Sequence, residues 1–203
     1  MIHIYNKGNN DNTLLLLHGT GGNENDLLDI GKLIDSNANV LSVRGNILEN
    51  GMPRFFKRLK EGVFDLDDLE FRTKELNEFV EKMSKEYGFK RDKVIAIGYS
   101  NGANIAGSLL FQIANSLAGA ILLRPMVPRR DFKLPNLDGS KVFISAGLYD
   151  SICPKDESIE LDNLLRKAKA EVHLNWVDAN HRLTYNELEV ARDWYNNNFK
   201  KES

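Results

Sequence analysis

The chain holds one cysteine, five prolines and no long apolar run in its 203 residues. A lone cysteine excludes a disulfide framework and any cysteine-based metal site. The longest apolar stretches, such as 118–123, fall far short of the roughly 20 residues that cross a bilayer. The opening Met1-Ile2-His3-Ile4-Tyr5-Asn6-Lys7-Gly8 turns polar before the apolar core of a signal peptide forms. Neither charge is in excess: 27 basic residues face 29 acidic ones, so no strong field attracts nucleic acid or an anionic membrane. These absences predict a soluble, cytoplasmic protein with no nucleic-acid partner and no stable membrane insertion. The 42% hydrophobic content and the length suit one α/β domain over residues 1–203.

Two kinds of segment alternate. Apolar runs at 13–17, 39–43, 94–98, 120–123, 142–146 and 172–177 read as buried strands. Their near-continuous hydrophobicity is what a parallel sheet covered on both faces requires. Between them, Leu76, Phe79, Val80, Met83 and Tyr87 form one helical stripe, and Leu161, Leu164, Leu165 and Ala168 form another. The last helix opens on Thr184-Tyr185-Asn186-Glu187, a capping-box pattern. Strand and helix taking turns predicts a mostly parallel, doubly wound α/β sheet. Residues 45–68 break the rhythm, with no clean period but with Met52, Phe55, Phe56, Val63 and Phe64. Such a segment is either a long connection over the core or a wall over a binding site.

The chemistry centres on Gly98-Tyr99-Ser100-Asn101-Gly102, a G-x-S-x-G string. A buried strand precedes it, and Ala103, Ala106, Gly107 and Leu110 follow as a helix with a small-residue face. Strand, tight turn with serine, helix is the nucleophile elbow of an α/β-hydrolase fold. A serine needs a base, and His181 is the histidine in the right order and place, in a loop beyond the last strand run. Asp150, just past the run 142–146, is the acceptor for its other ring nitrogen, ahead of Asp156 and Asp178. The glycines of His18-Gly19-Thr20-Gly21-Gly22 free backbone N–H groups to face an oxyanion, which assigns the donors as the Thr20 and Asn101 amides. Neither a G-x-G-x-x-G nor a P-loop Gly-Lys-Ser/Thr string is present, which weakens a phosphate-binding reading of that loop. No metal and no cofactor are called for.

With those motifs in hand, the chain resembles the phospholipase/carboxylesterase family of small α/β-hydrolases, which includes acyl-protein thioesterases. Within it, the bacterial carboxylesterases associated with hydroquinone and quinone stress are the most similar in look. The resemblance covers nearly the whole chain and rests on Leu17-His18-Gly19-Thr20-Gly21-Gly22, Pro53-Arg54-Phe55-Phe56, Gly98 to Asn104 and Leu123-Arg124-Pro125-Met126-Val127-Pro128. It implies a minimal fold without a large cap. It also implies Ser100, Asp150 and His181 as catalytic residues, Phe55, Phe56 and Met126 as pocket walls, and a homodimer. Two positions depart from the family pattern. Asn180 stands where glycine is usual before the histidine, and Asn101 stands where thioesterases commonly carry glutamine.

The expected activity is hydrolysis of small carboxylic esters through an acyl-enzyme. Two alternatives stand beside it: a thioesterase or lysophospholipase on longer acyl chains, and a hydrolase-fold sensor that binds without turnover. Arg124 reads either as a polar substrate contact or as one half of a surface salt bridge, and Cys153 reads as packing.

Overall fold

The computed structural model describes residues 1–200. In chain order the elements are β1 (His3–Asn6), β2 (Thr13–Leu17), α1 (Leu28–Ile34), β3 (Asn39–Val43), β4 (Ile47–Glu49), β5 (Met52–Arg54), β6 (Arg58–Lys60) and β7 (Val63–Phe64). They continue with α2 (Leu66–Tyr87), β8 (Val94–Tyr99), α3 (Asn101–Gln112), β9 (Gly119–Leu123), β10 (Lys141–Gly147), α4 (Lys155–Lys167), β11 (Glu171–Val177) and α5 (Tyr185–Phe199). All six apolar runs became strands of one seven-stranded sheet, in the order β1-β3-β2-β8-β9-β10-β11. Every neighbouring pair is parallel except β1 with β3, which is antiparallel.

Side chains alternate across the pleat and so build a core on each face. Leu15, Leu17, Val94, Ala96, Leu122 and Ile144 join one cluster with residues of α2, α3 and α4. Leu14, Leu16, Ile95, Ile97, Ile121 and Phe143 join the other with Ala191 and Tyr195 of α5. Because both faces are covered, β2, β8, β9 and β10 carry no polar alternation, whereas the edge strand β11 carries His173 and Asn175 between apolar residues. The predicted capping box on α5 is present in both directions.

Residues 45–68 form the hairpins β4–β5 and β6–β7, and α2 begins at Leu66, inside the stretch read as irregular. Strands of two or three residues are too short to display a period of two. The chain builds β2 and β3 on one side and then returns past β2 to start β8. Strand order therefore reverses between β2 and β8, and in open α/β sheets that reversal leaves a crevice at the carboxyl ends of the strands. The loops leaving β2, β8, β10 and β11 carry Thr20, Ser100, Asp150 and His181.

Candidate active site

Ser100 sits between β8 and α3 with φ 51° and ψ −113°. A non-glycine residue there costs of order 1–3 kcal/mol and persists only where its surroundings over-determine it. Those surroundings are visible. The Ser100 N–H donates to the Leu123 carbonyl at 2.9 Å, and the Ser100 carbonyl accepts from the Asn104 N–H at 2.9 Å. The flanking glycines are required by space. A Cβ on Gly98 would strike the backbone of Gly102 and Ala103, and one on Gly102 would strike the carbonyls of Leu17 and His18. The strained turn thus lifts the Ser100 hydroxyl out of the sheet at the crevice.

The elbow and two distant loops meet in one line. His181 Nε2 lies 3.0 Å from Ser100 Oγ, and His181 Nδ1 lies 2.8 Å from Asp150 Oδ2. A carboxylate only accepts, so Nδ1 carries the proton and the Nε2 lone pair faces the serine. Asp150 is itself held by the N–H groups of Ile152 and Cys153, which donate to Oδ1 at 2.9 Å each. Its rivals stand apart: Asp156 lies in the first turn of α4 and Asp178 is exposed. The arrangement can pass a proton from a hydroxyl to an imidazole and steady the imidazolium that results.

The loop after β2 is braced by the segment opposite. The Gly21 N–H donates to the Pro53 carbonyl at 2.9 Å and the Gly22 N–H to the Gly19 carbonyl at 3.1 Å, which commits those two amides. Arg54 donates from Nη1 to Thr20 Oγ1 at 2.8 Å, and the Phe55 N–H donates to Asn101 Oδ1 at 2.8 Å. As the first residue of α3, Asn101 has a backbone N–H with no acceptor inside the helix. His18 has a structural part. The Gly45 N–H donates to its Nε2 at 3.0 Å, so the ring is neutral and Nδ1–H donates to the Gly19 carbonyl at 2.6 Å. Burial pushes its pKa below the usual histidine value.

A cavity of about 50 Å³ opens beside Ser100, lined among others by Thr20, Arg54, Phe64, Met126, Ile152 and Cys153. Met126 is among these lining residues. Phe55 and Phe56 are not. Both are fully buried, Phe55 against the His18 ring and Phe56 edge-on to Phe64, so they back the wall rather than form it. Among the lining residues not assigned to that wall from sequence are the apolar Phe64 and Ile152; apolar residues in short irregular segments carry no signal of which way they face. Donor atoms of Asp150, Cys153 and His181 lie within 4.8 Å of one another. Each is already engaged, since the Cys153 thiol donates to the Arg124 carbonyl at 3.3 Å. Burial first, then the nearby Asp150 and Glu157 charges, push that thiol's pKa up, so it is not the thiolate that binds metal.

Neither reading of Arg124 holds. Its side chain is 0% exposed and forms a bidentate ion pair with Glu187, Nη1 to Oε2 at 2.6 Å and Nη2 to Oε1 at 2.9 Å. Full burial puts it out of reach of substrate and solvent alike.

A serine elbow, a histidine and an aspartate in hydrogen-bonded series on a mostly parallel sheet define the α/β-hydrolase class. Within that class the chain belongs to the Phospholipase/Carboxylesterase family, whose profile matches residues 3–198. It is 57% identical over 195 residues to the MhqD protein of Bacillus subtilis (strain 168), covering 96% of this chain and 98% of that one. It is 58% identical to the Bacillus cereus carboxylesterase of known crystal structure, with a TM-score of 0.96 over 97% of this chain and 94% of that one. A third relative, YahD, solved with malic acid, is 30% identical with a TM-score of 0.92 over 97% of this chain and 98% of that one. Family and fold make the chain a carboxylic ester hydrolase, and no helix among the described residues is long and apolar enough to cross a membrane.

Proposed function

We propose that the chain hydrolyses small carboxylic esters in two steps through an acyl-enzyme on Ser100. The observation that carries this reading is the unbroken series Ser100 Oγ, His181 Nε2, His181 Nδ1 and Asp150 Oδ2, at 3.0 and 2.8 Å. Ser100 Oγ attacks the ester carbonyl as its proton passes to His181 Nε2. The Thr20 and Asn101 N–H groups hold the oxyanion, and Asp150 holds the imidazolium. Collapse breaks the ester C–O bond, and the alcohol leaves with the proton from Nε2. Water then gives its proton to Nε2 and attacks the acyl carbon, the proton returns to Ser100 Oγ, and the acid departs.

The cavity of about 50 Å³ supports short acyl groups over long ones. Arg54, Arg58 and Glu61 also line it. Arg54 is committed to Thr20, the Phe56 carbonyl and Glu49, whereas Arg58 pairs with Glu49 through Nε and leaves its terminal N–H groups for groups that carry an oxygen acceptor. Malic acid, present with YahD, is a small acid of that kind.

The test is hydrolysis of p-nitrophenyl acetate, butyrate, octanoate and palmitate by the parent and by Ser100→Ala. Turnover highest on the two short esters and lost in the variant is the expected result. A maximum at palmitate would move the assignment to lipid or acyl-protein substrates. Turnover that survives Ser100→Ala would refute the nucleophile.

A further inference from the structure

Four consecutive carbonyls of the loop after β11 are each held from outside that loop. Ala179 O accepts from the Tyr149 N–H at 3.0 Å and Asn180 O from Arg124 Nε at 3.0 Å. His181 O accepts from the Tyr99 hydroxyl at 3.1 Å and Arg182 O from Arg124 Nη2 at 3.0 Å. Arg124 therefore grips the backbone on both sides of the histidine. Its remaining N–H groups go to Glu187 and to Ser145, whose Oγ also donates to Glu187 Oε2. Glu187 in turn accepts from the Thr184 N–H at 2.5 Å, fixing the start of α5. Arg124 stands at φ 56°, a strained conformation for arginine. A charged pair taken wholly out of water, on a strained backbone, is weak evidence for stability alone.

The same pair sets the charge around the imidazole. Arg124 Nε is 4.0 Å from Asp150 Oδ2, and Asp150 is 2.8 Å from His181 Nδ1. The other titratable groups packed there are the Tyr99 phenol and the Cys153 thiol. Burial raises both pKa values, so both stay neutral. Arg124, Glu187 and Asp150 then carry one net negative charge while His181 is neutral, and none once it is the imidazolium.

We propose that Arg124 and Glu187 are a positioning pair for the reaction, holding the His181 backbone through the Asn180 and Arg182 carbonyls and leaving the buried cluster one negative charge that the imidazolium neutralises. This rests on the assignment of Ser100 and His181 above. The planar guanidinium is needed because only a fork can meet Glu187 with two N–H groups and still reach carbonyls on both sides.

The test uses Glu187→Gln, Arg124→Met and the double variant, each checked for folding by circular dichroism. Two readouts are taken: kcat and KM against pH on p-nitrophenyl acetate, and the His181 imidazole titration by NMR. In Glu187→Gln, kcat is expected to fall about 10- to 100-fold, as for a displaced reacting group, with KM within about twofold. Its acid limb and its imidazole titration move to lower pH, because the cluster is now neutral before the proton arrives. In Arg124→Met both move to higher pH. In the double variant, where only Asp150 remains charged, both return to the parent position while kcat stays low.

If Arg124→Met does not fold, the double variant, which leaves no unpaired Glu187, carries the test together with Glu187→Gln. Folded variants with parental kcat would overturn the proposal. So would a loss of kcat with the limb and titration unmoved, which marks scaffolding alone. Failure of the parent to turn over any ester would count against the assignment of Ser100, and the NMR titration would still decide the charge effect.

Discussion

Replacing Asp150 with asparagine isolates the histidine tautomer from everything else at the site. Asp150 Oδ1 accepts two backbone N–H groups at 2.9 Å, and Oδ2 faces His181 Nδ1 at 2.8 Å. Backbone amides only donate, so the asparagine carbonyl must take the Oδ1 place and its NH2 must turn to the imidazole. Facing a donor, the ring carries its proton on Nε2 instead. Nε2–H then points at Ser100 Oγ across 3.0 Å and cannot take the serine proton. The imidazolium also loses its neighbouring carboxylate. Loss of both is expected to lower kcat by about a thousand- to ten-thousand-fold, or about 4–5.5 kcal/mol at about 1.36 kcal/mol per tenfold. The substitution keeps the side chain's shape, so the thermal midpoint should change little. Measuring kcat on p-nitrophenyl acetate beside the melting curve separates the two effects. A folded Asp150→Asn within about tenfold of the parent would refute the reasoning, as would an equal loss from Asp178→Asn.

Three further outcomes follow from the same structure. Gly102→Ala puts a methyl against the Leu17 and His18 carbonyls, on the strand end that leads to Thr20; overpacking of about 1–3 kcal/mol is expected, read as a drop in thermal midpoint with a fall in kcat, and an unchanged midpoint would contradict the close approach. His18 is neutral in the fold and its pKa is held low by burial, whereas the unfolded chain takes up that proton near the ordinary value of about 6.5. Its stabilisation is therefore present above that pH and lost as pH falls towards the depressed folded value, so the midpoint should drop less steeply below about pH 6.5 in His18→Gln than in the parent; parallel slopes would sink the assignment. The Cys153 thiol is buried and its pKa raised, so it should react with a thiol reagent at pH 8 only after unfolding, and rapid labelling of the folded chain would show the site more open than described.

The sheet was legible because its chemistry is local. A strand buried on both faces must be almost wholly apolar, and the six runs at 13–17, 39–43, 94–98, 120–123, 142–146 and 172–177 became strands with shifts of at most one residue. The last of them is a half-covered edge strand, and there His173 and Asn175 alternate with apolar neighbours. Ser100, Asp150 and His181 could be nominated from sequence for a related reason: each lies within four residues of the end of such a run, and loops at the strand ends are where a parallel sheet gathers its side chains. The strand β1 was missed because it pairs as an antiparallel edge and carries polar residues. The helix α1 was missed because it is seven residues long without a side-chain cap. Phe55 and Phe56 are pocket walls only by the family resemblance, and the sequence around them carries no signal of which way they face. The hairpins turn both inward, and Phe64 faces the cavity instead.

Arg124 shows a different limit. Beside Pro125 and Pro128, an arginine after an apolar run has every mark of the surface, because burying a guanidinium requires partners that neighbouring sequence does not supply. Its partners come from three other places in the chain: Ser145 in β10, Asn180 and Arg182 around His181, and Glu187 in α5. Glu187 was itself legible as a capping residue, and that role is real. A capping carboxylate ordinarily stays wet, so its second oxygen is free for water. Here that oxygen takes the Arg124 Nη1 and the Ser145 hydroxyl, and one side chain both starts the last helix and anchors the arginine that holds the histidine loop. The capping box thus fixes where α5 begins relative to His181, and any shift of that helix start would be felt at Nε2 through Arg124.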